Sequence, residues 1–118
     1  MSLFPALAIS YYANMKGLKV EFGSDRLFGI PLDVYIPAEQ VAIQVNMDSD
    51  KIGILKDYLC KQREIKLIKL PMKPNEAEPE YVQRIKAAFQ SVHIFISSDT
   101  EEDVRIIRKT FENWRSSR

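Results

Sequence analysis

Apolar residues recur along the chain in two periods, and the switches between them mark its elements. From about Leu3 to Met15 the pattern is helical, with Ser2 as a candidate cap, Pro5 in the first turn and Gly17 as the stop. Leu3, Phe4, Leu7, Ile9, Tyr11 and Tyr12 lie nearly all round that helix, which predicts burial on more than one side. LKVEF then alternates apolar and charged residues, as a half-buried strand does. A turn at GSDRLFG leads to the strand LDVYIP, and Ala38, Glu39 and Gln40 turn the chain into a second strand, VAIQVN.

DSDKIGILKDYLCKQRE returns to helical spacing. Asp50 is the expected cap; Ile52, Leu55, Leu59 and Cys60 are expected inside, with Lys56, Asp57, Lys61 and Arg63 outside. IKLIKLP reads as a fourth strand closed by Pro71, and MKPNEAEPE as a polar loop. A helix from about Glu80 to Phe89 turns Tyr81, Ile85, Ala88 and Phe89 inward, SVHIFIS reads as a fifth strand, and Thr100 with Asp103 opens a last helix to about Trp114. The order α-β-β-β-α-β-α-β-α predicts one α/β domain over residues 1–118, a mixed sheet flanked by helices.

Period two also sorts side chains. Val34 and Ile36 share one face of their strand and Asp33 and Tyr35 the other; Val41, Ile43 and Val45 oppose Ala42, Gln44 and Asn46. Asp33, Gln44 and Asn46 can therefore project from one side of a hairpin. Hard oxygen ligands converging from adjacent strands are what a magnesium-dependent phosphodiesterase needs, with a Lys or His nearby to assist. Here the spacing fits, but two of the three seats hold neutral amides.

The run LDVYIP…VAIQV followed by KDYLCKQREIKLIKLP resembles the small endonuclease domains of the PD-(D/E)XK superfamily, in the branch near very-short-patch-repair endonucleases. The resemblance covers about Phe4 to Leu70 and implies a restriction-endonuclease-like fold. It also implies a magnesium-dependent site built from an acid near the chain start, a strand acid, a Glu and an Asp on the next strand, and a His. Carried onto this chain, the strand acid is Asp33. The other seats fall on Ala6, Gln44, Asn46 and near Lys51, and the Gly after the second strand is Met47. A framework with its chemistry removed is the expected reading, a pseudo-enzyme serving as a nucleic-acid-binding or protein-interaction module. The enzyme alternative is an endonuclease with a rearranged site, Asp33 joined by a migrated acid (Glu21, Asp48 or Asp50) on magnesium and Lys51 assisting. No cofactor is expected unless that site is active.

Composition narrows the partners little. Of 118 residues 46% are hydrophobic and 28% charged, and 17 Lys and Arg balance 16 Asp and Glu. The stretch Lys51 to Lys73 is locally basic, and Lys56, Lys61, Arg63 and Lys66 are the candidate contacts to a DNA backbone. One Cys excludes an internal disulfide, and one Cys with one His excludes the usual zinc site. Cys60 and His93 are expected in structural or surface roles, and Trp114 is expected to pack down the last helix. No apolar run reaches membrane-spanning length, so a cytoplasmic, soluble chain is expected. The abrupt entry into a helix suggests one domain of a longer parent chain. A homodimer through the first helix, by Leu3, Phe4 or Tyr11, is a further structural alternative.

Overall fold

A computed structural model describes residues 3–116. It is a mixed α/β protein with four helices and one four-stranded sheet: α1 (Leu3–Met15), β1 (Glu21–Ser24), β2 (Leu32–Ile36), a 3-10 turn (Pro37–Glu39), β3 (Val41–Gln44), α2 (Asp50–Gln62), β4 (Lys66–Lys69), α3 (Glu78–Ser91) and α4 (Thr100–Ser116). The chain packs as two compact units. One combines the chain up to Gly17 with the chain from Met72 onward, and the other is Leu18–Pro71.

The sheet lies in the second unit in the order β1-β2-β3-β4. The first three strands are antiparallel neighbours, and β4 runs parallel to β3. A parallel neighbour needs a crossover, and α2 supplies it. Val34 pairs with Ile43 and Tyr35 with Ala42, so the expected sorting of faces holds. One face carries Val34, Ile36, Val41 and Ile43, all buried; on the other, Tyr35 and Ala42 pack in one cluster with Leu32, Cys60 and Ile65. β1 begins three residues later than LKVEF predicts, because its pairing with β2 is centred on Phe22 and runs past Gly23, which takes φ +62°.

Both ends of α2 are closed by local chemistry. Ser49, one residue before the expected Asp50, is the cap: its Oγ accepts from the Ile52 amide at 3.4 Å, and Asp50 opens the helix. At the other end Glu64 takes φ 56°. The Ile65 amide then donates to the Cys60 carbonyl (2.8 Å) and the Glu64 amide to that of Lys61 (3.2 Å), a Schellman closure with a non-glycine residue in the left-handed seat.

The other unit packs α1, α3 and α4 together. Phe4, Ala8, Ile9, Tyr12 and Ala13 of α1 are buried, as are Tyr81, Val82, Ile85, Ala88 and Phe89 of α3. Ser2, the expected cap of α1, lies outside the described residues. The fifth strand expected at SVHIFIS is not formed. His93 stands exposed at φ 65° and closes α3 by another Schellman turn, with its own amide on Gln90 and that of Ile94 on Phe89. The alternation of Ile94 and Ile96 reflects a half-buried connector, since a strand needs a pairing neighbour as well as a pattern.

Candidate functional site

The open end of the β2-β3 hairpin is where the sequence placed its chemistry. Asp33 Oδ2 accepts the backbone amides of Val45 and Asn46, both at 2.9 Å. One carboxylate oxygen thus holds the chain just after it leaves β3. Gln44 is buried, 7% exposed, and its Nε2 donates to the Asn46 carbonyl at 2.9 Å, while its Oε1 is buried without a hydrogen-bond partner. Asp33 and Gln44 both bond the backbone around Asn46, and what they build is a clasp on the chain.

Beside the clasp is a cavity of about 380 Å³. Gln44, Asn46, Asp48 and Asp50 line it, together with Asp57 and Lys69, two residues the sequence reading did not single out. Asp57 stands one helical turn after Gly53, and its pairing with Lys69 across 3.1 Å is between exposed groups. The only sequence signal for it was the acid–base pair twelve residues apart, which a strand–helix contact closes. Asp33 and Lys51 do not line this cavity.

Two of the remaining candidate ligands, Glu21 and Asp48, are engaged in ion pairs. Arg26 donates to both Glu21 oxygens, at 2.9 and 3.0 Å, and lies over the Tyr35 ring. The Arg26 hydrogen bond holds the Glu21 carboxyl below its ordinary value. Asp48 faces Lys56 Nζ across 2.8 Å, an ion pair without an aligned hydrogen bond. A magnesium site of the kind the resemblance implies needs free anionic oxygens aimed at one point. Among the described residues no three Asp, Glu, His or Cys side chains stand together for an ion. The donor set present does not fit that site.

The pairing of Lys56 overturns its expected exposure. Lys56 is only 4% exposed and belongs to the inner face of α2 with Cys60, so it is not available to a DNA backbone. The helix is rotated accordingly: Ile54 is 69% exposed and Tyr58 60%, and Ile52 and Leu55, expected inside, reach solvent as well. Met47, just before the helix, is 82% exposed. Lys61, Arg63 and Lys66 are exposed as expected, around the end of α2 and the start of β4, with Arg63 set over the Phe28 ring. The first helix offers less. Phe4 is buried, Tyr11 is half-buried and donates to Asp103 at 3.2 Å, and the Leu3 side chain lies outside what the structure describes.

The helical unit holds a buried polar centre that the sequence reading missed. The pattern has Thr100, with Asp103 three residues on, opening α4, yet the cap hydrogen bond is to Asp99, its Oδ2 accepting from the Glu102 amide at 2.9 Å. Asp103 is buried, and its Oδ2 accepts from Tyr12 at 2.7 Å and Ser98 at 2.6 Å, with Lys86 Nζ at 3.3 Å. Burial pulls its pKa upward, but the hydrogen bonds from Ser98, Tyr12 and Lys86 outweigh that and hold it below the usual carboxylate range. Lys86 is itself bound to the Ser98 carbonyl (2.5 Å) and Thr100 Oγ1 (3.0 Å), so every member is satisfied and the cluster ties the three helices together.

Comparison of the chain with family models, curated proteins and solved structures finds no match. No helix among the described residues is long and apolar enough to cross a membrane.

Proposed function

We propose that this chain is a non-catalytic, endonuclease-like interaction module, with its four-stranded mixed sheet as the scaffold. The observation that carries the reading is the inversion at the old site. Asp33, Gln44 and Asp48 are spent on holding the chain and on Lys56, while α2 beside them turns Ile54 and Tyr58 outward. Exposed apolar residues on one helix face, next to charge, are what a docking surface offers.

Two experiments test the two halves. Magnesium and manganese calorimetry with a plasmid-nicking assay, on wild type and Asp33→Asn, is expected to give no Asp33-dependent binding and no nicking. Nicking by wild type that the variant loses would restore the enzyme, with Glu21, Asp48 or Asp50 as its second acid. A photo-crosslinking residue at position 58, in cells, is expected to give adducts that the same residue at exposed Gln90 does not; equal yields at both positions would remove the interaction reading.

A nucleic-acid reading has its own support, the exposure of Lys61, Arg63 and Lys66 around the α2–β4 junction. Phosphate contacts by three cations would give weak, sequence-blind binding that falls with salt. Duplex binding that is insensitive to alanine at all three positions would end it.

A further inference from the structure

We propose that the exposed face of α2 is a self-association site, on which a second copy of this chain seats its own α2 in antiparallel orientation. The inference rests on the interaction-module reading and names its partner.

Asp50, Ile54, Tyr58 and Lys61 recur four, four and three residues apart, so they form one stripe along the helix. All four are exposed. The stripe has an acid at its start, a base at its end and two large apolar side chains between. Among the described residues neither Asp50 nor Lys61 has an ion-pair partner within the chain. A surface of that kind is complementary to its own reverse. Under a twofold axis residue i meets j and j meets i. With the axis between Ile54 and Tyr58, Asp50 of each copy faces Lys61 of the other, and Ile54 of each meets Tyr58 of the other. A parallel pairing sets acid on acid and base on base and is disfavoured. Met47 extends the apolar surface at one end, and the opposed helix dipoles favour the same antiparallel sense. A phosphate backbone is a poorer occupant, since Asp50 and Asp57 would repel it and Ile54 and Tyr58 would gain nothing.

A thirteen-residue helix is roughly 20 Å long, so one helix pair gives an interface at the small end of specific contacts. The dimer is accordingly weak, with a Kd on the order of 10–100 µM.

Sedimentation equilibrium on the full chain, from about 10 µM to 1 mM, tests it. Wild type is expected to pass from monomer to dimer. Ile54→Asp is expected to weaken association at least about tenfold with the melting curve kept, because the side chain is exposed. Asp50→Lys and Lys61→Asp each weaken it alone. Mixed in equal amounts they recover it, since one copy then carries bases at both ends of the stripe and the other acids at both. A wild type that stays monomeric overturns the inference, as does a mixture no tighter than either variant alone. A monomer whose position 58 crosslinks to another protein keeps the interaction reading and discards the second copy; a monomer without such crosslinks discards both.

Discussion

Asp33 Oδ2 accepts the Asn46 amide at 2.9 Å, so a strand carboxylate holds the backbone just beyond the end of β3. The Val45 amide shares the same oxygen. Asp33→Ala leaves two half-buried N–H groups without an acceptor, each worth about 1–3 kcal/mol. A loss of about 2–4 kcal/mol in urea unfolding is expected, with Asp33→Asn, which keeps one acceptor oxygen, losing clearly less. Equal losses for the two variants would show that the clasp is not what Asp33 does.

Placing at position 44 the acid that the resemblance implies should harm the protein. Gln44 donates through Nε2 to the Asn46 carbonyl, and a carboxylate in that seat has only lone pairs to offer. Gln44→Glu is expected to destabilise by about 2–4 kcal/mol at pH 7. The introduced acid has its folded pKa raised, so the loss is relieved as pH falls through that raised value and the recovery is complete by the unfolded value of about 4.3, the protonated group being able to donate. Magnesium should not rescue it. Stabilisation by millimolar magnesium would reveal a metal site that the present side-chain arrangement conceals.

The Tyr12 and Asp103 pair sets two pH limits. The folded pKa of Asp103 is depressed, so its contribution is complete above the unfolded value near 4 and is lost as pH falls through the folded one. Burial, then the Asp103 hydrogen bond, raises Tyr12; burial also raises Tyr81. Raised groups contribute below their unfolded value near 10 and lose that contribution as pH climbs past it. Thermal stability is therefore expected to be flat from about pH 5 to 9 with a fall on each side. Asp103→Asn should flatten the acid fall and Tyr12→Phe the alkaline one. An acid limb unchanged in Asp103→Asn would assign it to other carboxylates.

How much of this was legible follows from what each residue depends on. Alternation in LDVYIP and VAIQVN placed Asp33, Gln44 and Asn46 on one face because side-chain direction in a strand is a matter of parity. Their hydrogen-bond partners were not legible, since the Asp33 clasp spans twelve residues and closes on backbone. The face of α2 was read wrongly for a similar reason. Counting apolar residues put Ile52 and Leu55 inside, but the face that packs is the one carrying Lys56 and Cys60, and the partner that makes a buried Lys56 tolerable, Asp48, lies eight residues away. The buried Asp103 was hidden by its own location, because an acid in a first helical turn is an ordinary sight. Its partners come from Tyr12 and Lys86, far off in sequence, and no local pattern announces them.

The Lys56–Asp48 pair should respond unequally to removal of its two members. Lys56 is almost wholly buried, whereas the Asp48 side chain keeps 18% of its surface. Asp48→Asn strands a buried ammonium and is expected to cost about 3 kcal/mol; Lys56→Met leaves a carboxylate that can turn to water and fills the same volume, costing under about 1 kcal/mol. Comparable losses would mean that the pair sits in a wetter site than its geometry indicates.

Glu64 offers a direct gain. It closes α2 at φ 56°, where a side chain costs about 1 kcal/mol relative to glycine, yet the closure is kept by the Ile65 amide on Cys60 and by the burial of both those side chains in one cluster. Glu64 is exposed and, among the described residues, its side chain is in no ion pair, so replacing it removes strain without breaking a salt bridge. Glycine also loosens the unfolded chain, which takes back part of the benefit. Glu64→Gly is expected to stabilise by about 0.5–1 kcal/mol, read as a rise in urea midpoint with an unchanged slope. Glu64→Ala, which keeps the Cβ in the left-handed seat, should give no such rise. If alanine stabilises as much as glycine, the gain comes from removing the charge and not from the backbone.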